Sequence, residues 1–345
     1  SVVAWVAARY FGVLMGWEIV GPQVMTLSGL FLVGSYVINA LAPKLAGRLQ
    51  VTTTAAKLIP LFLMAIFGSI FGLKNGILVE NFTTTAVHTF TSKNPLFTAV
   101  VGTCFAYEGW ICATSINAEL KDAKKNLPLA LIFGSAFVVL VYILYYIGLA
   151  GAVKNEVMMA GGETGARIAF ETVFMQLGGT LLFIFVVISC LGTLNGLMMA
   201  CTRAFYAMGV RDEGPRPQVF KVVDTMPTNS ALIGLMMAML WLTYFYGANL
   251  APKPWFGPFC FDSSELPIVT IYAMYIPIFV MQMKKEQELG FFYRVVVPAL
   301  GVIASAFMVL AAIVSLRKAV LYYLILFAVL MGIGLLLKNY GHEEE

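Results

Sequence analysis

Apolar residues run along this chain in ten long blocks, and the charged residues are gathered in the short stretches between them. In order, the blocks are Val2–Trp17, Ile19–Pro43, Leu49–Leu73, Asn94–Ala118, Leu127–Val153, Thr172–Thr202, Thr225–Pro252, Leu266–Met283, Val295–Leu316 and Ala319–Leu337. A helix of about 20 apolar residues crosses a hydrocarbon core of about 30 Å, and such blocks have that length. The pattern therefore predicts an all-α polytopic membrane protein of about ten transmembrane helices, in one transmembrane domain over residues 1–345. The chain opens Ser1-Val2-Val3-Ala4-Trp5, already apolar, without an initiator Met or the basic stretch of a signal peptide. It reads as beginning inside a helix.

Composition sharpens this picture. Hydrophobic residues make up 60% of the 345 and charged residues 12%, at a mean hydropathy of +0.86, which excludes a soluble domain. A net charge of +4 spread over so much apolar sequence leaves no basic domain for nucleic acid. The five cysteines, Cys104, Cys112, Cys190, Cys201 and Cys260, have neither the spacing of a zinc site nor that of a disulfide framework. With only two histidines, His88 and His342, no metal or haem centre and no cofactor is expected. Paired carboxylates and intramembrane histidines are also missing from the pattern, so an enzyme is not expected.

Orientation follows from Lys and Arg in the connections. Taken alternately, one side collects 13 of them, including Lys44, Arg48, Lys121, Lys284 and Lys285, and the other collects 7, with Lys57 and Arg9 set aside. The richer side is expected to be cytoplasmic, together with the C-terminus and its acidic tail Glu343-Glu344-Glu345.

Two positions break the apolar pattern. In Phe105-Ala106-Tyr107-Glu108-Gly109-Trp110 a carboxylate and a glycine sit near the middle of the fourth block. Backbone opened at membrane depth is tolerated only where it lines a cavity enclosed by protein. A break here would present carbonyls at the end of one half-helix and amide hydrogens at the start of the next, which suits a zwitterionic solute. The alternative is an unbroken helix with Glu108 paired to a neighbour or protonated. The second position is Lys57, about two turns into the third block with Pro60 just beyond. It either snorkels to the interface or stands as a fixed ammonium within the bundle.

The order Phe105-Ala106-Tyr107-x-Gly109, then Glu119-x-x-Asp122-x-x-Lys125-x-Leu127-Pro128, resembles the amino acid-polyamine-organocation (APC) transporter superfamily, bacterial amino-acid permeases in particular. Leu45-Ala46-Gly47-Arg48-Leu49-Gln50 ahead of Lys57 is similar to that family's fourth-to-fifth helix junction. Thr202-Arg203-Ala204-Phe205-Tyr206-Ala207-Met208, then Arg211-Asp212-Glu213-Gly214 and Pro217, is similar to the end of its eighth helix.

The resemblance implies a five-plus-five inverted-repeat fold with a discontinuous helix at 94–118. Residues 1–73 would be part of the first repeat, 94–283 the second, and 292–338 two extra C-terminal helices. The ten blocks would match the family's third to twelfth helices, so the first two, with a glycine-rich break in the first, are expected to be lacking from a fragmentary sequence. The implied function is secondary active transport of amino acids or related amines across the cytoplasmic (inner) membrane by alternating access, with proton coupling or exchange. Phe105 and Ala106 would supply carbonyls to the amine, while Tyr107, Glu108, Gly109 and Trp110 shape the pocket. Lys57 would take the place of a sodium ion found in sodium-coupled relatives, and Glu119 and Arg203 would be gating or structural residues. Partners are then a small amino-acid or amine solute, the lipid bilayer and protons. The other reading is a non-transporting binding or regulatory module derived from a permease. Weaker candidates are Ser189, Thr193 and Asn195 in the sixth block, and Ser263, Ser264 and Glu265 before the eighth.

Overall fold

In the computed structural model, the described residues are 1–83, 95–211, 228–261 and 266–337, and within them the side chains of residues 95, 115, 116, 118, 119 and 163 are not described. The elements are helical throughout: α1 (Val2–Met15), α2 (Pro22–Leu41), α3 (Pro43–Leu63), α4 (Ser69–Lys74), α5 (Ile77–Thr83), α6 (Pro95–Tyr107), α7 (Ala123–Ala152), α8 (Asn155–Gly161), α9 (Gly165–Val210), α10 (Thr228–Phe245), α11 (Pro267–Lys285), α12 (Val297–Leu316) and α13 (Lys318–Leu337). Among the described residues nine helical stretches are long and apolar enough to cross a membrane, and the shorter Val2–Met15 accounts for the tenth apolar block. The fold is that of an all-α polytopic membrane protein. Its outward faces are apolar: Ile132 and Phe133 on α7 and Leu335 and Leu336 on α13 are largely exposed, which only a lipid solvent makes tolerable.

Helix ends follow local chemistry. Pro22, Pro43 and Pro267 each stand in the first turn of their helices, where a missing N–H costs nothing. Pro43 starts α3 well before Leu49, the first residue of the apolar block. The same helix runs through Pro60 and then widens into a π turn, Met64–Gly68, before α4. α9 extends beyond its apolar block in both directions and is kinked at Met175, whose φ of 62° is far from helical.

The described residues divide into two compact units. One holds residues 1–83, 109–211 and 228–242, and the other 95–108, 243–261 and 266–337. In the first, α1, α2 and α3 pack on α9, and α7 packs on the π turn and α4. That last crossing is made by glycines. A Cβ on Gly148 would run into the Met64 carbonyl, and one on Gly72 into Gly151. Small residues three and four apart let two membrane helices touch backbone to backbone. Met64, Ala152, Phe170, Leu182 and Phe183 form the buried cluster beside them.

The first unit also buries a chain of amides. Asn39 donates to Asn195 Oδ1 at 3.0 Å, and Asn195 donates to Gln50 Oε1 and to the Ala46 carbonyl, each at 3.0 Å. This ties α2, α3 and α9 together through groups that must find partners when buried. In the second unit α6 and α11 pack on α12 around Val101, Cys104, Ile268, Val269, Ala311 and Ala312.

Candidate functional site

The fourth apolar block is broken where the sequence suggests. α6 ends at Tyr107. The Glu108 N–H still reaches back to the Cys104 carbonyl at 3.0 Å, but Gly109 turns to φ 114° and cannot continue the helix. From Trp110 to Glu119 the chain resumes as a tighter 3-10 helix, started by a Cys112 N–H to Gly109 carbonyl bond of 3.0 Å. The unbroken-helix alternative is therefore set aside. A positive φ of this size is available to glycine and strained for other residues. Such a terminus places the last carbonyls of α6 and the first amides of the 3-10 segment beside one another in sequence, with opposite partial charges.

Around this break Phe105 (48% exposed), Tyr107 and Trp110 present large aromatic faces. Glu108 behaves differently. Its Oε1 accepts a hydrogen bond of 2.9 Å from the Tyr275 hydroxyl, with Tyr272 beside it, and its Oε2 is buried with no partner among the described residues. Both tyrosines belong to α11, and sequence reasoning passed over them. The available signal was a pair of hydroxyl-bearing rings three apart, hence on one helix face, in an otherwise apolar segment.

Lys57 lies half-buried on α3, and among the described residues its ammonium makes no hydrogen bond or ion pair. Pro60 leaves the carbonyl four residues earlier, at Ala56, without its usual helical donor. Arg203 is 8% exposed and folds back on α9, donating to the Met199 carbonyl at 2.8 Å and to Thr202 Oγ1 at 3.3 Å. The backbone of Glu119 closes the 3-10 segment, while its side chain lies outside the described residues.

The weaker candidates divide. Asn195 is spent on the amide chain, Thr193 is exposed, and Ser263, Ser264, Glu265 and residues 212–217 lie outside the described residues. A cavity of about 310 Å³ beside Asn195 and Thr53 is lined almost wholly by apolar groups of α2, α3 and α9. No charged candidate reaches it.

Comparison with known proteins places this geometry in context. The profile of a family described as "Amino acid permease" matches residues 1–336. A serine/threonine exchanger of Bacillus subtilis (strain 168) is 32% identical over 211 residues, covering 60% of this chain and 46% of that protein. The b(0,+)-type amino acid transporter 1 of Mus musculus is 24% identical over 290 residues, covering 84% of this chain and 57% of its own length. The human cystine/glutamate transporter is 24% identical over 223 residues, covering 63% of this chain and 43% of its own. The chain thus spans about half the length of the curated relatives it matches.

Proposed function

Because the chain belongs to the amino acid permease family, we propose that it carries amino acids or related amines across the cytoplasmic membrane by secondary active transport, with its C-terminus on the cytoplasmic side. The observation that carries the proposal is the helix break at Glu108–Gly109 within a family match that covers nearly the whole chain. Opposite partial charges at such a break answer the two charges of an amino acid, and a broken helix is the usual place for a solute near mid-membrane. The carbonyls of Phe105 and Ala106 receive the ammonium group. Each carbonyl has two lone pairs and can accept it beside any bond already made. Tyr107, Glu108, Gly109 and Trp110 wall the pocket.

Lys57 serves as a fixed positive charge in place of a bound metal cation, which makes proton coupling or solute exchange the driving mode. The exchanger from Bacillus subtilis among the relatives supports exchange in particular. Arg203 and Glu119 act at the cytoplasmic side as gating or structural residues. In this reading residues 1–73 belong to the first of two inverted repeats, residues 94–283 form the second, and 292–338 supply two further helices. The transporter is of the bacterial permease type within the APC superfamily.

The test is uptake of a labelled amino-acid mixture into proteoliposomes of the natural full-length protein. Runs with unlabelled amino acids inside and runs with an imposed pH difference are compared. Faster uptake with internal solute indicates exchange, and faster uptake with external acid indicates proton coupling. Correctly inserted protein that takes up none of the mixture under any condition overturns the proposal in favour of a non-transporting module.

A further inference from the structure

Among the described residues, the carboxylate at the end of α6 is held through one oxygen. Tyr275 donates to Glu108 Oε1 at 2.9 Å, and Tyr272, three residues earlier on the same face of α11, stands beside the same carboxylate. Tyr275 is buried. Its ring lies edge-on to Tyr272 with centroids 5.4 Å apart, and Phe279 flanks it at 6.5 Å. An aromatic ring packed in this way loses its freedom to turn, so its hydroxyl becomes a fixed donor. The Tyr275 hydroxyl sets the rotamer of Glu108, and with it the direction of Oε2, which is buried and unpartnered among the described residues. A desolvated carboxylate oxygen left bare is costly, and a positive charge arriving from a solute relieves that cost. α12, which packs against both α6 and α11, carries no ionisable side chain that could do so instead.

We propose that Tyr275, with Tyr272 beside it, is a positioning residue for transport: it fixes Glu108 so that Oε2 meets a positively charged group of the solute. This rests on the reading of the α6 break as the solute site.

The experiment is a double-mutant cycle in proteoliposomes of the natural full-length protein: Tyr275→Phe, Glu108→Ala and both together, with labelled L-serine and L-lysine as probes. Tyr275→Phe alone raises KM about tenfold or more with a smaller change in kcat, the size expected for losing a hydrogen bond to a charged group. In the Glu108→Ala background the same change has no further effect, or improves KM, because the hydroxyl no longer has a carboxylate to hold. If Tyr275→Phe multiplies its full factor onto Glu108→Ala, the tyrosine acts through general packing and the positioning role is overturned. If Glu108→Ala leaves KM and kcat unchanged for both probes, the solute-site reading itself fails, which is a different result. Should Tyr275→Phe fail to insert, the same cycle with Tyr272→Phe decides by the same criterion.

Discussion

Gly109 needs a backbone that other residues adopt only under strain. A Cβ placed there would meet nothing within 4 Å, so the cost of Gly109→Ala is one of backbone alone, about 1–2 kcal/mol at a φ of 114°. The expected result is an inserted protein whose melting temperature falls by a few degrees and whose uptake slows. Unchanged uptake would mean that the break has no part in transport. Lys57 gives a second prediction: Lys57→Ala removes the pH dependence of uptake, and Lys57→Arg does not restore it, because a planar guanidinium does not replace a compact ammonium. An unchanged pH profile in Lys57→Ala removes Lys57 from coupling. Both residues were legible in the sequence because a charge or a glycine inside an apolar block stands out. The spacing of Tyr272 and Tyr275 was visible but their partner was not, since an aromatic residue in a membrane helix reads alike whether it faces lipid, core or a carboxylate. The difference lies in a partner that tertiary packing brings from 167 positions away.

The elements between spans do more than connect them. Asn81, on α5, donates to the Ala150 and Val153 carbonyls at 2.7 and 2.8 Å and accepts from the Asn155 N–H at 3.0 Å, so one amide caps the end of α7 and the start of α8. Replacing it with Ala strands these groups, at about 1–3 kcal/mol for a buried polar group left unsatisfied. Hydrogen exchange should then quicken at α5 and around residues 150–157, with the rest of the first unit little changed. Exchange as slow as in the parent protein would show that the capping bonds contribute nothing. Glu80 and Lys154 add an ion pair at 2.6 Å beside this cap, and the hydrogen bond to Glu80 raises the Lys154 pKa above its ordinary value. A raised lysine contributes in full below its unfolded pKa and loses that contribution as pH climbs through the folded one. The pair is therefore present throughout the neutral range, and its exposure keeps it weak. Glu80→Gln should accordingly loosen α5 far less than Asn81→Ala. The sequence revealed the ten apolar blocks but neither α5 nor α8, which are too short to carry an apolar period. It also placed the start of α3 late, because amphipathic polar turns such as Pro43–Arg48 lack the hydropathy by which spans are read. The contact of Gly68 and Gly72 with Gly148 and Gly151 was equally hidden, since glycine in a membrane segment does not name the helix it will touch.

At the scale of the whole molecule, counting Lys and Arg in the sequence predicts which side of the membrane each connection occupies. Thirteen of the Lys and Arg residues fall on one side and seven on the other when each apolar block is taken as one passage. In that reading the break at Gly109 adds no crossing. The fourth block then counts as one passage, and Lys121 is expected on the opposite side from Lys74. Basic residues resist translocation, so the richer side is expected to be cytoplasmic. The prediction uses a form of the natural protein freed of its native cysteines, with a single Cys placed in turn at Lys44, Lys121, Lys284, Lys74 or Lys253, all of them exposed. In intact cells a membrane-impermeant maleimide should label the Cys at Lys74 and Lys253 and spare the other three until the membrane is permeabilised. The reverse pattern would turn the protein over and place the C-terminus outside. Labelling of Lys121 together with Lys74 would mean that the broken fourth block does not cross the membrane, which would remove the mid-membrane site on which the transport proposal depends.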